Sequence, residues 1–171
     1  MIEKLNQKYK FVLASKSPRR QKLLKSLGIE FVTRRSSLEK EIVPDIISEP
    51  NEASELAKLK AINTNLKEDN EIIITADTTV ECKDQILGKP ENYSEAFQML
   101  KKLSGQSHKV ITGVCIKDKE DTETFYAETK VVFCDLDDDE IRNYIERYKP
   151  FDKAGAYGIQ EWIGYIGIEK I

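Results

Sequence analysis

The sequence contains few of the residues that mark specialised protein classes. Its 171 residues include only 8 glycines, 5 prolines, 3 cysteines and 1 histidine. So little glycine and proline excludes a fibrous chain, and a hydrophobic content of 40% excludes intrinsic disorder. No apolar run approaches the roughly 20 residues that cross a bilayer, and the amino terminus lacks the apolar centre of a secretory signal. We therefore expect a globular, cytoplasmic protein with a sizeable core and no membrane partner.

The scarcity of cysteine and histidine limits the available metal and redox chemistry. Cys82, Cys115 and Cys134 are odd in number and far apart, and each lies in a strand-like run, which favours reduced, buried thiols. Without a Cys-x-x-Cys pair, and with His108 as the one imidazole, the sequence argues against zinc. His108 precedes a strand-like run, which favours a structural or surface role over a Ser-His-Asp triad.

Charge is nearly balanced overall but unevenly distributed. The net charge of −3 argues against nucleic acid as a partner. Residues 15–25 nevertheless carry five cations and no anion, whereas residues 135–140 carry five anions and no cation. A basic cluster in a mildly acidic protein indicates a small anionic ligand, and the acidic cluster is explained by a helix that starts there.

Hydrophobic periodicity predicts interleaved helices and strands, and therefore an α/β fold with a mixed sheet. Helices are expected from Ser17-Pro18 to Gly28, over 51–67, from a Ser94 cap to Leu103, and over 137–148, with one more turn over 153–157. Strands are expected over 9–15, 29–33, 72–82, 85–87, 109–117, 125–134 and 162–171.

The segment SKSPRR, residues 15–20, joins the first predicted strand to the first predicted helix. Pro18 suits the first helical position, which makes Ser17 the natural N-cap. The N–H groups and dipole at the start of a helix favour the binding of an anion. Arginine can bind phosphate through two parallel hydrogen bonds. These residues alone leave two interpretations open: a phosphate-binding cradle, or an ordinary capped helix with a solvated cationic end.

Asp77 follows an apolar run and shares one face of its predicted strand with Ile73, Thr75 and Thr79. A carboxylate in such a run costs free energy unless it is paired, hydrogen-bonded or metal-bound. Ligands of open α/β sheets gather at the carboxyl ends of strands. We therefore favour Asp77 as a general base or Mg²⁺ ligand over an aspartate that caps a turn.

Two lysines are weaker candidates. Lys60 lies on the apolar stripe of its predicted helix, where a lysine either extends to solvent or points into a ligand site. Lys89 lies in a turn just after a strand, where an exposed side chain is the ordinary outcome. In the segment FDKAGAYGIQ, residues 151–160, Asp152 is a candidate N-cap and Gln160 could read the edge of a base; a tight, small-residue connection explains the segment equally well.

Six acids lie between positions 39 and 55. We interpret them as mostly a solvated face, with Glu39 in a locally packed segment because Leu38 precedes it. They are Glu39, Glu41, Asp45, Glu49, Glu52 and Glu55.

Taken together, these segments resemble the Maf family of nucleoside triphosphate pyrophosphatases. The matching stretches run in the family's order over residues 13–160: LASKSPRRQKLLKSLGIEF, ELAKLKA, ITADTTV, ILGKPENYSEAFQMLKKLSGQSHKVITGV and FDKAGAYGIQ. The resemblance implies a mixed, twisted sheet with flanking helices in two lobes around a cleft, as in inosine triphosphatases. It also implies hydrolysis of a nucleoside triphosphate between its α and β phosphates, with Mg²⁺ or Mn²⁺, to the monophosphate and pyrophosphate.

The resemblance also carries residue roles. Asp77 matches the family's proton acceptor, and Glu39 matches an acid in a loop. The resemblance implies that these two residues are the metal ligands. The polar and basic positions that bind phosphate and substrate are matched by Ser15, Ser17, Arg19, Arg20, Lys60 and Lys89. Arg19, Thr78 and Gln160 match the positions linked to base preference, and they resemble the subgroup acting on dTTP and UTP, not the one acting on 7-methyl-GTP.

The chain departs from the family pattern in two places. Lys40 stands where the family often has a second acid, and Glu41 is a candidate substitute. Family chains usually continue past a pair such as Lys170-Ile171 into a glycine-rich strand and a helix. We therefore expect residues 1–171 to form a single two-lobed domain without these two elements, with a homodimer as a further expectation.

The sequence thus predicts a house-cleaning enzyme that hydrolyses dTTP and UTP, with modified pyrimidine nucleotides as further candidates. Two other classes stay open at this level. One is a regulatory module linked to cell division that binds nucleotides without hydrolysis, which Lys40 and the absent carboxyl-terminal elements would favour. The other is a nucleic-acid binder using the 16–25 cluster, which the net charge argues against.

Overall fold

The computed structural model describes residues 1–37 and 52–171, and the statements below refer to these residues. The first half contains α1 (Ile2–Lys8), β1 (Lys10–Leu13), α2 (Pro18–Ser26), β2 (Phe31–Thr33), α3 (Glu52–Ile62), β3 (Glu71–Cys82) and β4 (Gln85–Leu87). The second half contains α4 (Tyr93–Leu103), β5 (Ser107–Lys117), β6 (Thr122–Phe133), α5 (Asp138–Tyr148), a 3₁₀ turn (Ala154–Ala156), α6 (Trp162–Ile166) and β7 (Ile168–Lys170).

The strands of the described residues form one mixed sheet. Their order is β2-β1-β3-β5-β6-β7, and β4 pairs with β3. β1 runs parallel to both of its neighbours, which places Val12 beside Val32 and Ile73. β4 and β7 pair antiparallel with β3 and β6. The predicted α/β class with a mixed sheet and flanking helices is confirmed.

The chain divides into two compact units, and the first consists of Met1–Asp77 with Thr112–Tyr126. β1 is buried on both faces, which explains its uninterrupted apolar sequence FVLA. One face packs with Ile74, and the other packs with Ile73. A third small cluster joins α3 to β5 through Ala57, Ala61 and Cys115.

The second unit consists of Thr78–Ile111 with Ala127–Ile171, and it holds the larger hydrophobic core. Three aromatic rings pack edge to face in it, those of His108, Phe133 and Tyr157. The His108 Nε2 lies 2.8 Å from the Tyr157 hydroxyl, and burial lowers the pKa of the imidazole to about 4. His108 is therefore a neutral core residue, the structural alternative that the sequence favoured.

The predicted elements are found with a few corrections. The sequence prediction omitted α1, and the predicted 162–171 strand is wrong because Trp162–Ile166 is helical and only Ile168–Lys170 is extended. A Cβ on Gly164 would overlap the Ile159 carbonyl, so the helix packs directly on the preceding backbone. Such a contact leaves no trace in hydropathy. No described helix has the length and apolar character needed to cross a membrane.

Two capping residues and the end of one helix differ from the sequence prediction. Asn92, not Ser94, caps α4, because its side chain accepts the Glu95 N–H at 3.0 Å. Lys153, not Asp152, precedes the 3₁₀ turn. Helix α3 ends at Ile62 instead of continuing to residue 67.

The leucines in and directly after α2 differ in burial. Leu24 packs against the core of the first unit. Leu23 and Leu27 are 62% and 61% exposed.

Candidate functional site

Asp77 lies within β3 and is only 9% exposed. Its carboxylate forms an ion pair with the Lys60 ammonium of α3. The Lys60 charge offsets the free-energy cost of burying the carboxylate. The paired, buried carboxylate predicted at the end of the apolar run is therefore present in the structure.

Helix α3 places Lys60 against β3 through a side chain-to-backbone contact. The Thr75 hydroxyl donates to the Ala57 carbonyl at 2.6 Å, and both residues are buried. One turn further along, Lys60 reaches Asp77 with only 17% of its side chain exposed. Of the two outcomes open for Lys60, the structure shows the one in which the lysine points inward.

Residues 15–20, interpreted from the sequence as either a phosphate-binding cradle or an ordinary capped helix, surround the start of α2. Pro18 is the first helical residue, and Ser17 occupies the N-cap position, as predicted. The cap itself differs, since Ser17 makes no side-chain capping bond in the described structure. Instead, the Ser15 hydroxyl accepts the Ser17 N–H at 3.2 Å and an Arg20 Nη1 hydrogen bond at 3.4 Å.

The charge at this helix start is entirely positive. The first turn of α2 contains Arg19 and Arg20 and no acidic residue. The helix dipole adds partial positive charge at the same end. Its electrostatics therefore favour an anion such as phosphate.

Glu52 is a buried acid that the sequence interpretation placed on a solvated face, and that interpretation is wrong. Glu52 begins α3, is only 5% exposed, and its Oε2 has no hydrogen-bond partner among the described residues. Burial raises the pKa of its carboxyl, and the nearby Asp77 charge raises the pKa further. The spacing could have revealed it, because Glu52 lies at i−4 from Leu56 and i−8 from Lys60, on the inward-facing row of the helix.

The remaining described candidates lie in the second unit. Thr78, which follows Asp77 in β3, is partly exposed, Lys89 lies in the irregular segment after β4, and Gln160 lies in a turn. The Gly155 N–H donates to the Gly88 carbonyl at 3.0 Å, which joins the segment of Lys89 to the 152–160 segment. Gly155 has a φ of +66° and packs tightly against Val80, which explains why this position needs glycine.

A buried ion network that the sequence did not reveal holds the backbone next to Gln160. Lys153 is 6% exposed and contacts Asp152 at 2.8 Å and Glu161 at 3.1 Å. The Tyr144 hydroxyl donates to Glu161 and accepts the Gly158 N–H at 3.0 Å. These contacts anchor both ends of the turn that carries Gln160.

The donor set of the first unit fits a divalent cation. No three metal-ligating side chains converge within residues 1–37 and 52–171. Mg²⁺, however, is commonly bound by one or two carboxylates together with substrate phosphates and water. Asp77 and Glu52 supply carboxylate oxygens, and the Glu52 Oε2 lacks a partner among the described residues. Glu39, the other acid implied as a ligand, lies outside the described residues, as does Lys40.

Comparison with known proteins identifies the family. Residues 10–171 match the family described as Maf-like protein. The chain belongs to the Maf-like family. A dTTP/UTP pyrophosphatase of Parabacteroides distasonis is 49% identical over 172 residues, spanning 100% of this chain and 89% of the relative. Another dTTP/UTP pyrophosphatase, from Flavobacterium psychrophilum, is 47% identical over 173 residues, spanning 100% of this chain and 88% of the relative.

A solved structure supports the fold of this Maf-like chain. The Ham1 protein of Staphylococcus aureus superposes with a TM-score of 0.51, at 15% sequence identity, over 74% of this chain and 72% of that chain. At this identity the likeness shows the fold alone. The mixed α/β fold expected from the family resemblance is thereby confirmed.

Proposed function

We propose that this Maf-like protein is a nucleotide diphosphatase that hydrolyses dTTP and UTP to the nucleoside monophosphate and pyrophosphate. The observation that carries the proposal is its 47–49% identity, over the whole chain, to proteins named dTTP/UTP pyrophosphatase. The reaction breaks the α–β phosphoanhydride bond and adds the elements of one water molecule. Modified pyrimidine nucleotides are further candidate substrates.

Asp77 is the residue to which we assign the proton transfer. A buried carboxylate at the end of an apolar run can accept the proton of an attacking water at one of its oxygens. Lys60 holds the Asp77 side chain in one orientation through their ion pair. Lys60 also carries a positive charge that can stabilise negative charge developing on the phosphates.

The triphosphate needs several cations, because it carries about four negative charges. We assign Ser15, Ser17, Arg19 and Arg20 to phosphate binding, supported by the hydrogen bonds among them and the cationic start of α2. Lys89 is assigned the same role from the family resemblance. Arg19, Thr78 and Gln160 are proposed to set base preference, and the anchored turn before α6 supports a defined position for Gln160.

We propose Mg²⁺ or Mn²⁺ as the cofactor, with Asp77 as a ligand and Glu39 as a second ligand implied by the resemblance. When bound, such a cation neutralises charge on the phosphate oxygens in the transition state. The protein contributes hard carboxylate oxygens at Asp77, which is buried. A cytoplasmic location and a homodimer are further proposals, for which cell fractionation and analytical ultracentrifugation are the direct measurements.

A nucleotide panel read by pyrophosphate release tests this function. The panel contains dTTP, UTP, dCTP, dGTP, ATP and 7-methyl-GTP, each with Mg²⁺, with Mn²⁺ or with EDTA. We expect dTTP and UTP to give equal amounts of monophosphate and pyrophosphate, and EDTA to abolish release. Nucleotide binding without release would instead support the regulatory module. Salt-sensitive binding to oligonucleotides that nucleotides do not compete for would support a nucleic-acid binder.

A further inference from the structure

Among the described residues of the first unit, three acidic side chains are buried, and they differ in the cation that neutralises each. Glu71 is held by Arg34, and Asp77 is held by Lys60. Glu52 is as deeply buried as these two, at 5% exposure, yet its Oε2 accepts no hydrogen bond from the described part of the chain. A buried carboxylate oxygen without a partner is costly and calls for a compensating group.

The backbone holds Glu52 in this position. A Cβ on Gly113 of β5 would overlap the backbone of Ala53 and Ser54, so the first turn of α3 lies directly on the strand. The Ser54 side chain, like that of Glu52, is buried.

Glu52 and Lys60 belong to α3, Asp77 belongs to β3, and the charge of Asp77 acts on Glu52. Glu52 precedes Lys60 by about two helical turns, on the same row of the helix. The Lys60 side chain extends from α3 to β3, where its ammonium pairs with Asp77. Asp77 accepts from that ammonium. Consistent with this, the charge of Asp77 adds to burial in raising the pKa of Glu52.

One cation therefore has to serve two buried carboxylates. Lys60 supplies a single positive charge, and its ammonium is paired with Asp77. Two carboxylates and one ammonium leave a net charge of −1 when both acids are ionised, in a place where uncompensated charge is expensive. A hard divalent cation would compensate this negative charge. Such cations bind carboxylate oxygens, and the Glu52 Oε2 is a carboxylate oxygen without a partner among the described residues.

We infer that Glu52 is a ligand of the divalent cation that accompanies the nucleotide, on the same cation as Asp77. The inference rests on the proposed function, because that function requires the cation. It adds Glu52 to Asp77 and Glu39, the metal ligands that the family resemblance implies. It also gives the Maf-like chain a second carboxylate in the first unit, where Lys40 stands in place of the family's frequent second loop acid.

Direct measurement of Mn²⁺ binding tests the role of Glu52 without relying on turnover. Wild type, Glu52→Gln and Glu55→Gln are titrated with Mn²⁺ and followed by electron paramagnetic resonance, alone and with a UTP analogue carrying a methylene bridge between its α and β phosphates. Glu55 is the matched control, because it carries the same charge on the same turn of α3 but is partly exposed. We expect Glu52→Gln to weaken Mn²⁺ binding at least 10-fold and Glu55→Gln to change it less than 2-fold.

Thermal unfolding separates a metal ligand from a structural acid. Without metal, Glu52→Gln removes a buried, unpartnered charge, so its Tm is expected to equal or exceed that of wild type. With saturating Mn²⁺ and the analogue, wild type and Glu55→Gln are expected to gain Tm, and Glu52→Gln to gain less than half as much. A lower metal-free Tm together with an unchanged Mn²⁺ affinity would overturn the inference and make Glu52 a structural residue.

The two proposals fail in different ways. If wild type hydrolyses dTTP and UTP while Glu52→Gln binds Mn²⁺ like wild type, the function stands and the Glu52 assignment is overturned. If wild type binds Mn²⁺ through Glu52 but no nucleotide in the panel releases pyrophosphate, the assignment stands and the function is overturned. An absence of Mn²⁺ binding by wild type, with and without the analogue, overturns the Glu52 assignment directly.

Discussion

Lys60 of α3 and Asp77 of β3 form an ion pair inside the first unit, with 17% and 12% of their side chains exposed. Neither charge would be stable there alone, because a buried charge without a partner is strongly unfavourable. The pair therefore links the packing of α3 on the sheet to the position of the acid to which we assign proton transfer. The first two predictions follow from it.

Asp77→Asn is expected to lower turnover of dTTP and UTP by roughly 10²-fold or more, because the amide cannot accept a proton from water. Binding of the uncleavable analogue, measured in EDTA without a divalent cation, is expected to stay within a few fold of wild type. Steady-state pyrophosphate release and calorimetric titration measure the two quantities. Asp84→Asn is the control, since Asp84 is exposed in a turn at a φ of +59°, which asparagine tolerates. Wild-type turnover in Asp77→Asn would remove Asp77 from the mechanism.

Lys60→Met is expected to lower the free energy of unfolding by about 3 kcal/mol, because it leaves the Asp77 carboxylate buried without its cation. The double variant Lys60→Met/Asp77→Asn is expected to recover most of this loss, since both charges are then absent. Urea denaturation of the four proteins of the cycle measures the coupling. Strictly additive effects would show that the ion pair contributes nothing to stability.

Arg34 and Glu71 form a bidentate pair, with hydrogen bonds of 2.8 and 2.6 Å, and Arg34 lowers the pKa of Glu71 from 4.5 to about 2. The unfolded chain binds a proton at Glu71 as the pH falls through about 4.5, whereas the folded protein does not until about pH 2. The hydrogen bonds to ionised Glu71, from Arg34 first and then from the backbone N–H groups of Lys67 and Glu68, therefore stabilise the fold above pH 4.5, together by roughly 3 kcal/mol, and this contribution is lost between pH 4.5 and 2. Urea titrations of wild type and Glu71→Gln from pH 6 to 3 check this, and the difference between them is expected to shrink as the pH falls.

His108 gives stability a second pH dependence, in a higher window. Burial lowers its pKa from 6.5 to about 4, so the unfolded chain takes up a proton over this range while the folded protein stays neutral. The contribution of neutral His108 to the free energy of unfolding is fully present above pH 6.5 and is lost as the pH falls toward 4. His108→Gln is expected to flatten the stability profile between pH 6.5 and 4.5 and to leave the Glu71 window unchanged. A nuclear magnetic resonance titration that finds the imidazole pKa near 6.5 in the folded protein would contradict this.

Gly113→Ala is expected to destabilise the protein by roughly 2 kcal/mol, because its Cβ would overlap the backbone at the start of α3. The first turn of the helix, which carries Glu52, has to move away from β5 to admit the methyl group. Gly88→Ala is the stability control, since a Cβ there meets nothing within 4 Å. Equal denaturation midpoints for the two variants would show that α3 can shift at no cost.

Local signals in the sequence were sufficient for much of the fold. The apolar run of β3, the Pro18 start of α2 and the acids before α5 all specify their elements through interactions within a few residues. The end of the chain was misread, because α6 depends on close backbone approach at Gly164. Hydropathy does not register a contact between two backbones.

For the candidate site, the sequence determined which residue types are present and in which order. Asp77 after the apolar run of its strand, the cationic start of α2 and the family motifs are all readable without coordinates. Tertiary structure decided what each charge meets. In the folded structure Lys60 pairs with Asp77, and Glu52 is buried. From its residue type alone, Glu52 would be expected on the surface. Burial and pairing are set by neighbours distant in the chain, so only the packing of α3 on β3 and β5 could separate this acid from the solvated ones around it.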